Sequence, residues 1–207
     1  MRLCESFRSI QGEGVMMGEG TYFLRSAGCN LSCTWCDTRY SHADGNEFTV
    51  AEMTESVKDD RNVCVTGGEP LLQKDIYGLL KALLREGKKT VLETNGSVDI
   101  SKVPVHEDMI ISMDIKCPSS GMNDKMMFSN TAYLKGTDQL KFVIADKADL
   151  EYAVSFIGSG GLRCSIIFTP AGGMDIRPLA EEVIERKLNV KVLPQLHKII
   201  WGNRKGV

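Results

Sequence analysis

Residues 62–96 read NVCVTGGEPLLQKDIYGLLKALLREGKKTVLETNG, and their change of period decides the fold. Asn62–Thr66 is a short apolar run rich in β-branched residues, which predicts a strand. Leu71–Arg85 then places Leu72, Ile76, Leu79, Leu80, Leu83 and Leu84 at helical spacing, and Thr90–Glu93 returns to strand character. A strand, a crossover helix and a second strand imply parallel pairing. Working outward, further strands are expected at Tyr22–Arg25, Met109–Asp114, Gln139–Ile144, Arg163–Phe168 and Val190–Leu193, with helices over Asp146–Phe156, Ile176–Lys187 and Thr49–Lys58. The expectation is an α/β chain with an open or incomplete (β/α) barrel of about six parallel strands. A doubly wound sheet has the same pattern, and period alone leaves both open. No linker, low-complexity tract or repeat divides residues 1–207, so one domain is expected. A full eight-stranded barrel takes ~250 residues, so this one would be trimmed.

Composition excludes several classes. The 25 Lys+Arg nearly balance the 27 Asp+Glu, so no nucleic-acid surface is implied and a small-molecule ligand is expected. No run of 18 apolar residues suggests a membrane span, and MRLCESFRSIQGEG does not read as a secretion signal. In an unexported, cytoplasmic chain the seven cysteines would stay reduced.

In both architectures ligands bind at the carboxyl ends of the strands. Gly67-Gly68-Glu69-Pro70, Glu93-Thr94-Asn95-Gly96, Asp114-Ile115-Lys116 and Thr169-Pro170 are expected at those ends. So is the loop GCNLSCTWCDT, with Cys29, Cys33 and Cys36 within eight residues. Three thiolates on a four-iron cubane leave one iron open, which an amino acid can chelate; ferredoxin-type sites use four. A structural zinc site is the alternative, although zinc usually takes paired hooks, and here only His42 lies nearby. Cys4, Cys64, Cys117 and Cys164, each alone, read as small core residues. His42 and His106 read as surface residues.

The spacing Cys-x3-Cys-x2-Cys, with Trp35 before the last cysteine, resembles the cluster loop of the radical S-adenosylmethionine superfamily. Gly67-Gly68-Glu69-Pro70 resembles that superfamily's motif for the methionyl amine of the cofactor. The resemblance implies a 4Fe-4S cluster bound by Cys29, Cys33 and Cys36. It also implies one-electron cleavage of S-adenosyl-L-methionine to a 5′-deoxyadenosyl radical. The protein would position the cofactor and exclude water and oxygen.

The opening Ser9-Ile10-Gln11-Gly12-Glu13-Gly14, the Tyr22-Phe23-Leu24-Arg25 strand, the Cys-Asp-Thr end of the loop, Lys116-Cys117-Pro118-Ser119-Ser120 and Leu196-His197-Lys198 resemble, in order, the 7-carboxy-7-deazaguanine synthases. That likeness implies ring contraction of 6-carboxy-5,6,7,8-tetrahydropterin with loss of ammonia, in the pathway to queuosine or archaeosine. No catalytic side chain is implied beyond the cluster and S-adenosylmethionine.

Carried over by position, Thr38 would hold Mg²⁺ through its hydroxyl; on its own it reads as a turn cap. Arg25 would grip the substrate carboxylate, its alternative being a surface charge on a strand. Ile10, Gln11, Gly12 and Glu13 would contact the pterin, their alternative being a polar turn. Thr66 would touch the substrate. His197 would face it or simply pack. Trp35, Cys36, Asp37 and Gly68 would line the S-adenosylmethionine site, completed by Asp114, Ile115, Lys116, Phe168, Thr169, Pro170 and Ala171. The terminal carboxylate of Val207 would bind the pterin, or the tail is frayed. The family implies a homodimer and an external electron donor such as flavodoxin or ferredoxin. A glycyl-radical-enzyme activase is the nearest enzymatic rival, and a non-catalytic iron–sulfur or zinc module is the rival of another class.

Overall fold

The computed structural model describes residues 1–42 and 45–207. Among these, nine strands form one sheet: β1 (Arg2–Ile10), β2 (Gly20–Ser26), β3 (Asn46–Glu47), β4 (Asn62–Gly67), β5 (Lys89–Thr94), β6 (Met109–Ile115), β7 (Gln139–Ile144), β8 (Ser165–Pro170) and β9 (Lys191–Val192). Their spatial order is β3-β1-β2-β4-β5-β6-β7-β8-β9. From β2 to β9 every neighbour is parallel, while β1 pairs antiparallel with both β2 and β3. Among the described residues no ladder joins β3 to β9, so this is an incomplete barrel. The doubly wound alternative falls, because the parallel strands follow one another in chain order without reversal.

Period 2 sorts the strands into an outer and an inner face. Leu24, Val63, Val65, Leu92, Ile111, Met113, Leu140 and Phe142 join the main core. Helices α1 (Val50–Ser56), α2 (Ile76–Arg85), α3 (Lys147–Gly158) and α4 (Arg177–Glu185) supply the other half of that core, including Met53, Leu79, Leu80, Leu83, Leu150, Leu179 and Val183. The alternate residues Phe23, Cys64, Val91 and Ile110 form a second apolar layer with Met16, Phe7 and Val15, which floors the interior. One step further along the same strands the inner residues turn polar: Arg25, Thr66, Glu93, Ser112 and Asp114. The floor and the site are therefore successive layers of one inner face.

Three expectations need correction. The helix expected over Leu71–Arg85 begins only at Ile76. Gln73 is extended (ψ 131°), and its side chain donates to the Ala27 carbonyl (2.7 Å) and accepts from the Arg2 amide (2.9 Å). That tie between two strands outweighs helix propensity. Second, β1 was not anticipated. Its register shifts between Leu3 and Glu5. This bulge lets Leu3 join the outer core while Glu5 and Phe7 turn inward. Charged inner residues and a broken alternation hide such a strand. Third, β8 spans Ser165–Pro170 rather than Arg163–Phe168, so Thr169 and Pro170 are its last two residues, at the carboxyl end as expected. The caps, by contrast, lie where the chemistry predicts: Thr49 and Glu52 form a capping box on α1, and Asp146 accepts from the Asp149 amide on α3.

Candidate active site

The inner face opens into a cavity of about 590 Å³. Its wall includes Ile10, Gln11, Gly12, Glu13, Arg25, Cys29, Cys33, Trp35, Cys36, Asp37, Thr38, Thr66, Gly68, Asp114, Lys116, His197 and Val207. Residues nearly two hundred positions apart are thus brought together. The side chains of Ile115, Phe168, Thr169, Pro170 and Ala171 do not line it. Ile115 belongs to the outer core, and Phe168 is buried edge-on against Phe142. The chain after β8 reaches the cavity at Gly172 instead.

The cysteine loop follows β2 directly. Cys29 accepts from the Leu31 amide (3.4 Å) and from Asn95 Nδ2 (3.8 Å). The Cys36 thiol lies 3.7 Å from the Thr38 hydroxyl. Burial pushes the Cys29 and Cys33 thiols up, although Lys116 pulls Cys33 back. Among the described residues no three His, Cys, Asp or Glu side chains are already drawn together at metal-binding separation.

Gly68 brings the next loop against this one. A Cβ there would stand 2.1 Å from the Gly28 carbonyl oxygen and 2.8 Å from Cys29 Cβ, so only glycine fits. Glu69 faces away from solvent and pins the loops. It accepts from the amides of Leu71 (3.0 Å) and Asn95 (2.7 Å) and from the Thr94 hydroxyl (2.9 Å). Burial pushes its carboxyl up to about 7, against the pull of those N–H groups, the Thr94 hydroxyl and Lys116. Asn95 then reaches Cys29 and the Asn30 side chain (3.0 Å), so the glycine-rich loop, the end of β5 and the cysteine loop form one hydrogen-bonded unit.

Opposite them, Arg25 is no surface charge. Its Nε donates to Glu5 (2.7 Å), and Tyr40 donates to the same oxygen (2.8 Å). Thr66 donates to Glu93 (2.8 Å), which also accepts from Gln11 (3.4 Å). Above the apolar floor runs a largely buried ionic chain. Lys141 bonds Glu13 and lies 3.2 Å from Asp114, and Asp114 pairs with Lys116 at 2.5 Å. Lys116 sits 5.5 Å over the Trp35 ring.

The last helix, α5 (Leu196–Trp201), closes the far wall. His197 is its second residue. Its Nδ1 lies 2.2 Å from where a Gly12 Cβ would stand. The Leu196 amide donates to the Gly12 carbonyl (2.9 Å), and Lys198 pairs with Asp37 at 2.9 Å. The tail continues along the mouth, with Lys205 4.2 Å over the Tyr40 ring. His106 is exposed as expected, but His42 is half-buried and lines the cavity.

Glu5, Tyr40, Lys141 and Gln195 were not singled out from the sequence, whereas Glu93 was expected at a strand end. Only the inward parity of Lys141 on its strand could have marked it; Glu5, Tyr40 and Gln195 carry no local signal.

The incomplete barrel, the three thiols and the glycine loop packed on them define a radical S-adenosylmethionine enzyme, and the profile of the Radical SAM superfamily matches residues 23–117. The chain is 41% identical over 209 residues to the 7-carboxy-7-deazaguanine synthase of Thermoplasma acidophilum, with both chains covered in full. It is 42% identical over 206 residues to that of Methanospirillum hungatei, covering 97% of this chain and 85% of the relative. The crystal structure of QueE from Escherichia coli, 19% identical, shares the fold with a TM-score of 0.75 over 93% of each chain. The chain belongs to the 7-carboxy-7-deazaguanine synthase family.

The residues fit the groups this family implies. Thiolates are the donors iron–sulfur clusters take, and the amides at Cys29 are the N–H···S contacts that tune them. Gly68, packed so closely that only glycine fits, brings its backbone to the cavity wall beside the thiols.

Proposed function

We propose that the chain catalyses radical ring contraction of 6-carboxy-5,6,7,8-tetrahydropterin to 7-carboxy-7-deazaguanine with release of ammonia, working as one domain over residues 1–207. The product would serve queuosine or archaeosine synthesis. The observation that carries this reading is the shared cavity: the cysteine loop, Arg25 and the Gln11–Glu13 loop face one space.

Cys29, Cys33 and Cys36 would hold the 4Fe-4S cluster, and Trp35, Asp37, Gly68, Asp114 and Lys116 the S-adenosylmethionine beside it. When bound, these supply the one-electron carbon–sulfur cleavage that starts the reaction. Arg25, fixed at Nε by Glu5, leaves its terminal amino groups for the substrate carboxylate. Gln11, Glu13 and Thr66 offer an amide, a carboxylate and a hydroxyl to the pterin's donor–acceptor edge. Ile10, Gly12 and His197 complete that wall, and Val207 would close it through its carboxylate. Thr38 would give Mg²⁺ one oxygen ligand, leaving the remaining positions to water and substrate. Ile115 and the Phe168–Ala171 stretch would act through the strand ends they set, since their side chains lie elsewhere.

A homodimer, an external donor such as flavodoxin or ferredoxin, and a cytoplasmic location accord with this reading. Among the described residues no helix is long and apolar enough to cross a membrane. Reduced, reconstituted chain incubated anaerobically with S-adenosylmethionine, Mg²⁺ and the carboxytetrahydropterin should yield 7-carboxy-7-deazaguanine and ammonia in equal amounts. A chain that cleaves S-adenosylmethionine but leaves the pterin untouched would remove the substrate assignment.

A further inference from the structure

The pterin-side carboxylate of Glu13 lies inside the barrel, and its charge needs a partner there. Lys141, Gln195 and His197 lie around it, and Asp114 and Glu93 act on Lys141 in turn. Lys141 of β7 bonds one carboxylate oxygen. Gln195, just before α5, donates to the other at 2.6 Å. Asp114 of β6 stands 3.2 Å from the same Lys141 ammonium. His197 of α5 lies nearby across Gly12. Glu93 of β5 also acts on Lys141. Lys141 is the cation bonded to Glu13, whereas Asp114 holds a second one, Lys116, at 2.5 Å. Removing Lys141 therefore strands Glu13 and leaves Asp114 paired.

We propose that Lys141 is a positioning residue for the pterin: it holds the Glu13 carboxylate ionised and aimed into the cavity, without itself being required for S-adenosylmethionine binding. This inference rests on the pterin reading above. The geometry supplies the reason. Each Glu13 oxygen already accepts one bond, from Lys141 or Gln195, and each has a further lone pair for a ligand N–H. A protonated Glu13 would present a donor where the pterin also donates. Burial pushes the Glu13 carboxyl up, but Lys141, Gln195 and His197 hold it down at about 2, so it stays charged at any working pH. Without Lys141 the largest opposing influence is gone, and burial raises the carboxyl's affinity for a proton.

The test is equilibrium binding of carboxytetrahydropterin and of S-adenosylmethionine, each titrated separately into anaerobic cluster-loaded protein between pH 6 and pH 9. Wild-type pterin affinity should be nearly flat with pH. Lys141→Met should weaken pterin binding roughly a hundredfold at pH 6.5 and recover part of it toward pH 9, with S-adenosylmethionine affinity changed less than about threefold. Lys141→Arg, which keeps the charge, should retain most of the affinity, and Glu13→Gln should show the loss with a flat profile. Unchanged pterin affinity in Lys141→Met, or equal losses for both ligands, overturns the proposal. Should Lys141→Met not fold, the Arg and Gln variants decide: Lys141→Arg binding as poorly as Glu13→Gln refutes it. A wild-type chain that binds S-adenosylmethionine but no pterin removes the pterin reading and this inference with it.

Discussion

At the scale of single residues, the three thiols are not equivalent in their surroundings. Cys33 is the one buried most deeply among them. Cys33→Ala should lose the intact cluster and all turnover, read by iron and sulfide content together with product formation. Arg25→Lys should keep the cluster but raise the pterin KM by about tenfold or more, because an ammonium cannot hold Glu5 and a planar carboxylate as a guanidinium does; unchanged kinetics would take Arg25 out of the site. Glu69 predicts a pH effect on stability. Its folded pKa, about 7, stands above the ordinary 4.5, so between those values the folded chain holds a proton the unfolded chain has lost. Stability then falls as pH rises through that window and levels above it. Thermal denaturation of wild type and Glu69→Gln from pH 4.5 to pH 8 should show a smaller fall in the variant. The motifs proposed to bear ligands were readable because short loops hold them: three cysteines on eight residues, or two glycines before a glutamate. Glu5 and Tyr40 were not, since each becomes meaningful only through Arg25, across a ladder no local pattern announces.

At the scale of elements, the parallel strands were legible because apolar runs alternate with amphipathic helices; the caps Thr49 and Asp146 stand where two of the expected helices begin. Thr49→Ala should cost about 1 kcal/mol of stability by urea unfolding and leave the cavity chemistry alone. What stayed hidden were the places where tertiary contacts override local preference: Gln73 drawn out of its helix by two strands, and β1 with its bulge and inward charges. The docking of α5 on the Gln11–Glu13 loop was equally unreadable, because contact between positions 12 and 197 has no trace in spacing. It has a sharp test. Gly12→Ala puts a methyl group where His197 sits, so pterin affinity should fall while S-adenosylmethionine affinity, served by the opposite wall, is kept; isothermal titration with each ligand separates the two.

At the scale of the whole molecule, the barrel is a stack: an apolar floor, a charged tier above it, and the tail across the mouth. The tail is mostly exposed beyond Trp201. Deleting residues 202–207 should shift the melting temperature by no more than about 2 °C yet raise the pterin KM, since it takes away a wall and no core; a large loss of thermal stability would show that the segment belongs to the fold instead. The charged tier has a consequence for how such chains can drift. Glu13, Lys141, Asp114 and Lys116 are wired in series and largely shielded from solvent, so losing Lys141 leaves Glu13 without its bonded cation and losing Asp114 leaves Lys116 without its carboxylate, each a defect of up to roughly 3–5 kcal/mol. Lineages should therefore inherit the quartet as a block or replace its members in compensating pairs, and the four positions should change in concert where they change at all.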